Sequence, residues 1–450
     1  MKKLLAIAMA LIMVLTMAAC SSPSGDGSQG QDAAPAAEPA AQEAETPTTE
    51  PAQEQDTTPA ESGNPYDNVL PRENRSPIAA SDLKIGVILI HDENSGYDYA
   101  HLEGVKKAAA NLGISESQII FKYNIPEDET CYDTAVDLAE QGCHIVISNS
   151  FGHQSHLMHA ATEYPDIIFE ASTGVTAALE PVTNVINIFP FTYESRYVSG
   201  VVAGMKLKEL LDSGAATEPY VAYIGAYPYA EVVSGHTGFF LGIRSIVPEA
   251  YMDVQYTNSW YDPVAEAEAA NALISKGCVI IGQHADSTGA PSAIQAAKDS
   301  GKNVYSVGYN IDMLSVAPTA ALTSAQNNWA AMYTPVLERM ITGEAMPSDI
   351  ALGYADDAVM ISPLGPSCAP GTAEKVAEVI AALKDGSLKV FDTKNFTVDG
   401  KTITSYPWID TDGDWVGDTG EAIENGIFME SVFRSAPYFD LRIDGITELN

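Results

Sequence analysis

The sequence is poor in positive charge. Its 450 residues include 23 Lys and Arg against 60 Asp and Glu, which gives a formal net charge of -37. Such a chain repels phosphate groups, so the composition argues against a nucleic-acid-binding protein and against electrostatic docking on anionic lipid. Cysteine is scarce too: five residues with no CxxC pair exclude a disulfide scaffold and give no support to zinc or redox chemistry.

Motifs of common enzymes are also missing. The chain contains no Gly-x-Ser-x-Gly nucleophile elbow and no His-Glu-x-x-His zinc motif. We therefore expect a binding protein without catalytic residues or a cofactor. The alternative is a surface nucleoside hydrolase, whose carboxylates would have to cluster in a cleft, and Asp92, Asp98, Asp286 and Asp312 are the candidates for that role.

No apolar run is long enough for a typical membrane-spanning helix. The longest, residues 4–19, has sixteen residues, whereas a span needs about 20. It follows two lysines and ends in Met-Ala-Ala-Cys, which resembles a lipobox. We predict that residues 1–20 are a lipoprotein signal peptide and that Cys20 becomes an acylated (palmitate-type) N-terminus at the extracytoplasmic face of a bacterial cell membrane. The alternative is plain cleavage after Ala19, which leaves Cys20 free.

Residues 21–80 are predicted to be a disordered acidic tether. Between Pro23 and Gly63 there are nine acidic residues, no basic residue, no aromatic residue and no Val or Ile. Such a segment cannot bury enough apolar surface to offset the entropy lost on ordering, and its like charges extend it.

From Lys84 onwards, short apolar runs alternate with helix-like segments. The predicted strands are KIGVILI (84–90), IIFKYN, HIVISN, IIFEAS, VINIFP, VAYIGA, MDVQYTN, VIIGQH, VYSVGYN and ALTSAQ (321–326). Helices are expected near 99–112, 194–212, 231–246, 263–276, 288–300 and 328–342. Strands that alternate with helices at this spacing predict βαβ units and parallel sheets.

The α/β series breaks near residues 194–218, which predicts two lobes. We assign residues 82–200 plus about 321–342 to lobe 1, and residues 201–320 plus about 343–395 to lobe 2. Residues 396–450 form a C-terminal extension.

Polar and aromatic groups follow the predicted strands. In open α/β sheets, ligands bind outside the carboxyl ends of the strands. The groups at those ends are His91–Asp98, Asn149-Ser150-Phe151, Ser172-Thr173, Tyr227-Pro228-Tyr229, Gln283–Gly289 and Tyr309–Asp312. Aromatic faces mixed with amides and carboxylates suit a planar, polar, neutral ligand. The alternative interpretation of each Asp, Ser or Gly is a helix cap or a turn residue.

Several segments together resemble the basic membrane protein (BMP) family of bacterial lipoproteins. They are SGYDYAHLEGV (95–105), YTNSWYDPVAEAEAANALISKGCVIIGQHADSTG (256–289), VYSVGYNIDM (304–313), LTSAQNN (322–328), LGYADDAVMIS (352–362) and KDGSLKVF (384–391). The family comprises substrate-binding components of ABC transporters, some of which bind purine nucleosides. The resemblance covers about residues 82–395. It implies a type I periplasmic-binding-protein fold, in which two parallel-sheet (Rossmann-like) lobes joined by a hinge close on a solute.

The resemblance also implies roles for individual residues. Tyr97 stands where the family stacks an aromatic ring on the base, and Asp98 stands at an Asn position. Asn310 replaces an Asp that binds ribose hydroxyls, while Asp312 of the same motif is kept. Gln326 replaces a Lys of the same cluster. The complete set of expected ligand-binding residues is Tyr97, Asp98, Asn149, Phe151, Tyr227, Trp260, Asp286, Asn310, Asp312 and Gln326.

The ligand and the partners follow from the same resemblance. A second stacking ring, expected near 233–235, is missing, and Tyr227 or Tyr229 is the candidate replacement. A purine nucleoside is the favoured solute. A sugar, a base or an amino acid is the alternative, as is a sensory role without transport. The permease and the ATPase would be separate proteins.

The C-terminal extension contains a candidate calcium loop. Acidic residues fall at positions 1, 3, 5, 9 and 12 of a twelve-residue loop, namely Asp410, Asp412, Asp414, Asp418 and Glu421. Trp415 stands where the sharp turn of such a loop needs Gly. The alternative, an acidic surface turn, is therefore favoured over a structural calcium site.

Overall fold

The computed structural model describes residues 72–175, 177, 182–409 and 417–450. They lie in one compact unit, Glu61–Asn450. The signal peptide and most of the tether fall outside the described residues. Among the residues that are described, no helix is long and apolar enough to cross a bilayer.

The described part of the chain contains seventeen strands and nine α-helices. The strands are β1 Ile85–Ile88, β2 Ile119–Lys122, β3 Ile145–Ser148, β4 Ile168–Ala171, β5 Val185–Pro190, β6 Tyr220–Gly225, β7 Tyr251–Tyr256, β8 Ile280–Gln283, β9 Tyr305–Tyr309, β10 Ala321–Asn327, β11 Asp349–Leu352, β12 Val359–Ile361, β13 Pro407–Ile409, β14 Thr419–Glu421, β15 Ile423–Glu424, β16 Ile427–Phe428 and β17 Ile446–Glu448. The helices are α1 Gly96–Asn111, α2 Glu129–Glu140, α3 Gln154–Glu163, α4 Thr192–Asp212, α5 Ala230–Arg244, α6 Pro263–Ser275, α7 Gly289–Asp299, α8 Trp329–Thr342 and α9 Thr372–Lys384.

The first sheet is parallel throughout. Its order is β11-β5-β4-β3-β1-β2, and strand β1, which lies between β3 and β2, is buried along its whole length. Burial on both faces explains why this strand reads as a continuous apolar run in the sequence. Helices α1 and α8 share one hydrophobic core with the sheet, and α2 and α3 share another. This sheet and these four helices are lobe 1.

The second sheet has the order β12-β10-β9-β8-β6-β7-β17. All neighbours in it are parallel except β12, which runs antiparallel to β10. Helices α4, α5 and α9 contribute to one of its cores, and α6 and α7 to the other. This sheet and these five helices form lobe 2, so the prediction of two parallel α/β lobes is confirmed.

The chain passes between the lobes three times, at 190–192, 327–329 and 352–359. These crossings differ from the predicted boundaries, which placed strand 321–326 in lobe 1 and residues 343–395 in lobe 2. In the structure β10 pairs with β9 in lobe 2, and β11 pairs with β5 in lobe 1. A strand belongs to the sheet that contains its hydrogen-bonded neighbours. The apolar pattern of the strand itself does not reveal which neighbours those are, so the boundaries were predicted wrongly.

Helix α4 belongs entirely to lobe 2, although its first turns were predicted in lobe 1.

Glycines let the backbone of α4 approach that of α5. A Cβ atom on Gly200 would lie 2.0 Å from the carbonyl oxygen of Phe239, and one on Gly242 would lie 2.1 Å from that of Tyr197. No larger residue fits at either position without separating the two helices.

The C-terminal extension is part of lobe 2. It forms the antiparallel pairs β13–β14 and β15–β16, and its aromatic rings join the lobe 2 core, among them Trp408, Phe428, Tyr438 and Phe439. Its last strand, β17, extends the second sheet beside β7. The extension also reaches lobe 1, because the Ser435 amide donates a 2.7 Å hydrogen bond to Asp349 in β11.

The end of the chain provides a prediction about stability. The side chain of Asn450 accepts a hydrogen bond from the Tyr256 amide and donates one to the Tyr256 carbonyl, both at 2.9 Å. Asn450→Ala is expected to lower the free energy of unfolding by about 1–2 kcal/mol, since each bond contributes about 0.5–1.5 kcal/mol. Urea denaturation measures the change. Leu449→Ala, at the exposed neighbouring position, is the control, and an equal effect of the two variants would contradict the prediction.

Candidate ligand-binding site

A cavity lies between the lobes at the carboxyl ends of both sheets, which is where open α/β folds bind small molecules. Its lining residues are Ile90, Tyr97, Asn149, Ser150, Phe151, Ser172, Thr173 and Phe189 from lobe 1, and Glu231, Trp260, His284, Asp286 and Tyr309 from lobe 2. Five of the ten predicted ligand-binding residues therefore line one cavity.

The lobes touch each other at the edge of this cavity. The Gly96 amide of lobe 1 donates a 3.3 Å hydrogen bond to the Asp286 carbonyl of lobe 2. Close by, the rings of His91 and Tyr261 lie 5.8 Å apart across the cleft. The structure therefore represents the closed arrangement of the two lobes.

Tyr97 is held in place from behind. It lies in the first turn of α1, which is capped by the Ser95 hydroxyl, and its hydroxyl donates to the Ser172 carbonyl at 3.2 Å. Its ring makes an edge contact with the His101 ring at 4.4 Å, and the His101 ring stacks on Trp329 at 3.6 Å. These contacts restrict the Tyr97 ring to one orientation against the cavity.

Asp98 lies behind the cavity and positions Asn149. The Asn149 amide donates to the Asp98 carboxylate at 2.8 Å, while the Asn149 oxygen accepts from the Ile90 amide at 3.0 Å. Burial pushes the pKa of Asp98 up, but hydrogen bonds from His91, Ser95 and Asn149 outweigh burial and leave the pKa below its ordinary value. Asp98 is therefore an ionised group that orients Asn149 and does not itself line the cavity.

Aromatic rings also border the cavity on lobe 2. Trp260 lines it directly. Tyr227 packs edge-on against Trp260 at 5.3 Å and stacks on Tyr229 at 5.0 Å, so Tyr227 supports Trp260 and lies outside the lining. At Gly235, where the family's second ring was expected, a Cβ atom would lie 2.7 Å from the His284 ring. His284 therefore fills that space.

An acidic wall faces the ligand on lobe 2. Glu231 contacts His284 at 3.1 Å, and burial raises the pKa of Glu231 to about 7. Burial and the nearby Asp98, Glu266 and Glu231 carboxyls raise the pKa of Asp286 well above its ordinary value, although its hydrogen bond with Asn310 opposes this. None of the described lining residues is Lys or Arg, so the wall favours a neutral or cationic ligand that donates hydrogen bonds.

A buried arginine lies beneath this wall. Arg196 donates to the Gln283 carbonyl at 2.6 Å, and its guanidinium lies 3.6 Å from the centre of the Tyr309 ring. Burial, followed by repulsion from Arg196, lowers the pKa of His284 well below its ordinary value. His284 is therefore neutral, and it can accept or donate a hydrogen bond.

Three buried polar atoms of the lining have no hydrogen-bond partner. They are Oγ1 of Thr173, Nδ1 of His284 and Oη of Tyr309. Buried polar atoms are nearly always paired. Nδ1 of His284 lies beside Gly235, so Thr173 and Tyr309 are the candidate partners for a polar ligand in this cavity.

The three residues expected at the sugar side lie outside the lining. Asn310 donates to the Asp286 carboxyl at 2.8 Å, and Gln326 donates to the Asn310 carbonyl at 3.1 Å. The Asp312 carboxylate accepts from the Leu314 amide at 2.9 Å and caps a short 3-10 turn. All three side chains thus bond to the protein itself.

Four residues at or beneath the cavity have no distinguishing pattern in the sequence: Ile90, Phe189, Glu231 and Arg196. Phe189 lies within β5 and Glu231 in the first turn of α5, where acidic residues are common because they complement the helix dipole. No local signal in the sequence distinguishes Glu231 from an ordinary helix-start residue.

The remaining predicted residues lie elsewhere or outside the described ranges. Cys20, Asp410, Asp412 and Asp414 fall outside them. The Glu421 carboxylate accepts hydrogen bonds from the Ser405 hydroxyl and from two backbone amides, at 2.6–3.0 Å. It thereby joins the two strands of the β13–β14 region. Asp418 is exposed at the start of β14.

Comparisons with known proteins agree with this geometry. The family model described as Bmp, ABC transporter substrate-binding protein PnrA-like, matches residues 87–384. A purine-binding protein of Brucella abortus (strain 2308) is 33% identical over 315 residues, which cover 70% of this chain and 84% of that protein.

Solved structures show the same fold. An ABC transporter solute-binding protein from Conexibacter woesei DSM 14684 has a TM-score of 0.54 at 21% identity, covering 68% of this chain and 98% of that one. Another, from Aeropyrum pernix K1, has a TM-score of 0.57 at 16% identity, covering 68% of this chain and 92% of that one. The predicted type I periplasmic-binding-protein fold is confirmed.

Proposed function

The chain belongs to the Bmp family of ABC transporter substrate-binding proteins, as its sequence predicted, and we propose that the solute it captures is a purine. The observation that carries this proposal is the cavity itself. Tyr97 and Phe151 of lobe 1 and Trp260 of lobe 2 offer ring faces, and Glu231 and Asp286 offer acceptors for ring N–H groups. The relative in Brucella abortus is a purine-binding protein, which supports the same ligand class.

The charge of the cavity argues for a base or nucleoside and against a nucleotide. Its described lining carries two carboxyl groups and no Lys or Arg. A phosphate there would find no cationic lining residue to pair with in a desolvated space, which is strongly unfavourable. The sequence favours a purine nucleoside, and the purine ring is the part that a nucleoside and a free base share.

Capture would proceed by closure of the hinge formed at 190–192, 327–329 and 352–359. A ligand that contacts both lobes binds the closed state better than the open one, and this difference shifts the equilibrium towards closure. No covalent step is needed. Delivery would then be to a permease and an ATPase encoded as separate proteins.

We place the protein at the extracytoplasmic face of a bacterial membrane, held by acyl chains on Cys20. The support is the sequence of residues 1–20 with its lipobox-like end. The acidic tether would let the lobes reach a permease while the anchor stays in the lipid. Mass spectrometry of the mature N-terminus tests the anchor. An acylated Cys20 is expected, and a free Cys20 would contradict it.

A thermal-shift screen tests the ligand class. The panel holds purine bases and nucleosides, pyrimidines, sugars and amino acids. A ligand at about 100 times its Kd adds about 2.7 kcal/mol of stability, a shift of a few degrees. Shifts confined to purines are expected. A response to sugars or amino acids alone would instead favour a receptor for another polar solute, and release of a free base from a nucleoside would favour a hydrolase.

Glu231 provides a prediction about pH. Glu231→Gln is expected to weaken purine binding about ten-fold at about pH 8, because an ionised acceptor typically contributes about 1.5–3 kcal/mol to a hydrogen bond. Burial raises the pKa of Glu231 to about 7. Wild-type affinity should therefore fall as the pH is lowered from about 8 to about 6, since the carboxylate becomes protonated.

Calorimetric titration with a purine that does not itself ionise in this range measures both effects. Glu268→Gln, an exposed position on α6 of the same lobe, is the matched control and should behave as the wild type. If Glu231→Gln keeps the full pH dependence, the carboxylate of Glu231 does not accept from the ligand.

A further inference from the structure

The sugar side of the cleft is already occupied by protein contacts. We propose that the ligand is a free purine base and that the closed lobes exclude the ribose of a nucleoside. This inference rests on the proposed purine-binding function and narrows its ligand.

The three residues that the resemblance assigns to ribose form hydrogen bonds with the protein itself. Asn310, Asp312 and Gln326 make hydrogen bonds to a carboxyl group, a backbone amide and a backbone carbonyl of lobe 2, at 2.8–3.1 Å. None of the three lines the cavity. Oδ1 of Asn310 lacks a hydrogen-bond partner, while the Nδ2 group of the same side chain donates to Asp286.

The two lobes also touch each other beside these residues. The Gly96 amide donates to the Asp286 carbonyl at 3.3 Å. A Cβ atom on Gly96 would lie 3.3 Å from Cγ1 of Ile311 and 3.6 Å from Cβ of Asn310. Gly96 precedes Tyr97 directly, so atoms of lobe 2 fill the space next to the residue that carries the proposed stacking ring.

Opening this contact would break a buried hydrogen bond. A ribose placed beside Gly96 would separate Gly96 from Asp286 and displace Asn310, whose side-chain amide donates to the Asp286 carboxyl. The Asp286 carboxyl, which is 6% exposed, would then lose the Asn310 donor inside the protein. An unpaired buried polar group is costly, whereas a free base leaves the pair intact.

The chemistry of the remaining lining fits a base alone. Aromatic rings come from Tyr97, Phe151 and Trp260, and hydrogen-bonding atoms come from Thr173, Glu231 and Tyr309. A planar heterocycle can use its edge donors and acceptors on these groups without any hydroxyl-bearing substituent.

The test compares each base with its own nucleoside by calorimetric titration of the full chain in detergent. The pairs are adenine with adenosine, hypoxanthine with inosine, and guanine with guanosine. At least one base is expected to bind ten-fold or more tightly than its nucleoside. Nucleosides that bind as tightly as the bases would overturn this inference and leave the purine function intact. Failure of every purine to bind would overturn the proposed function itself.

A variant tests the structural cause. Ile311→Ala removes the side chain that meets Gly96 across the cleft, and it should reduce the preference for the base several-fold by strengthening nucleoside binding. Val316→Ala trims another half-buried residue of the same lobe 2 core and should leave the preference unchanged. A base preference that Ile311→Ala does not alter would overturn the role assigned to this contact.

Discussion

Tyr97→Ala is expected to weaken purine binding by about 1–3 kcal/mol, or roughly 5- to 150-fold, because it removes a stacking face from the base. The structure gives the residue a prepared position. Its ring is held by the edge contact with His101 at 4.4 Å and by a 3.2 Å hydrogen bond to the Ser172 carbonyl. A ring held before binding loses little entropy when a ligand arrives, so most of its contact energy contributes to affinity.

Two variants separate stacking from other effects. Tyr97→Phe keeps the ring and removes only the hydroxyl, so most of the affinity should remain. Tyr99→Ala removes a ring from the same helix at a position that is 44% exposed and should leave binding unchanged. Calorimetric titration with a purine measures all three variants. A Tyr97→Ala variant that binds like wild type would remove Tyr97 from the site.

The second large effect concerns stability and pH. Glu170 lies in β4 and is completely buried. Burial raises its pKa from 4.5 to about 8, although the hydrogen bond from Ser172 opposes this. Between these two values the folded protein keeps the proton and the unfolded chain loses it. The free energy of unfolding therefore decreases as the pH rises through this window.

The contribution of Glu170 is fully present below about pH 4.5 and lost above about pH 8. The shift corresponds to a loss on the order of 3–5 kcal/mol. Glu170→Gln keeps an acceptor for the Ser172 hydroxyl but cannot ionise, so its stability should fall much less between about pH 5 and pH 8. Urea denaturation of both proteins at the two pH values measures the difference. Equal pH dependence in wild type and variant would show that Glu170 ionises freely in the folded state.

Other buried carboxyls also make the free energy of unfolding decrease as the pH rises, and they do so equally in the wild type and in Glu170→Gln. Burial raises the pKa of Glu194, Glu266, Glu430 and Asp349 to about 7 in each case. Their contribution cancels in the comparison, which isolates Glu170. Taken alone, these carboxyls make the folded protein more stable in mild acid than in mild base. Burial lowers the pKa of His101, His153, His236 and His284, which act in the opposite direction and are likewise common to both proteins.

Much of the fold could be predicted from the sequence because its signals are local. The alternation of apolar runs and helical segments predicted a helix near 194–212, and the structure places α4 at Thr192–Asp212. Lobe membership depends on tertiary contacts. The pairing of β11 with β5 and the close packing of α4 on α5 leave no periodic signal in the chain.

Some residues of the candidate site could likewise be predicted from local sequence signals, and others could not. Tyr97, Asn149 and Asp286 follow strands, and the rule that ligands bind at strand ends located them. Glu231 comes from a helix start and Phe189 from inside a strand, where the same residue types have ordinary structural roles. Asn310, Asp312 and Gln326 align with the family's ribose-binding positions. That alignment could not show that their side chains form hydrogen bonds within the protein.

The central claim is that a purine ring is held in the cavity between Tyr97 of lobe 1 and Trp260 of lobe 2. A crystal structure of the protein grown with a purine base that produces a thermal shift tests it most directly. We expect electron density for one planar ring in this cavity. The ring should form hydrogen bonds to Glu231 or Asp286, and the Gly96–Asp286 contact should be intact. A purine bound outside this cavity would contradict it, as would a ring that touches neither Tyr97 nor Trp260.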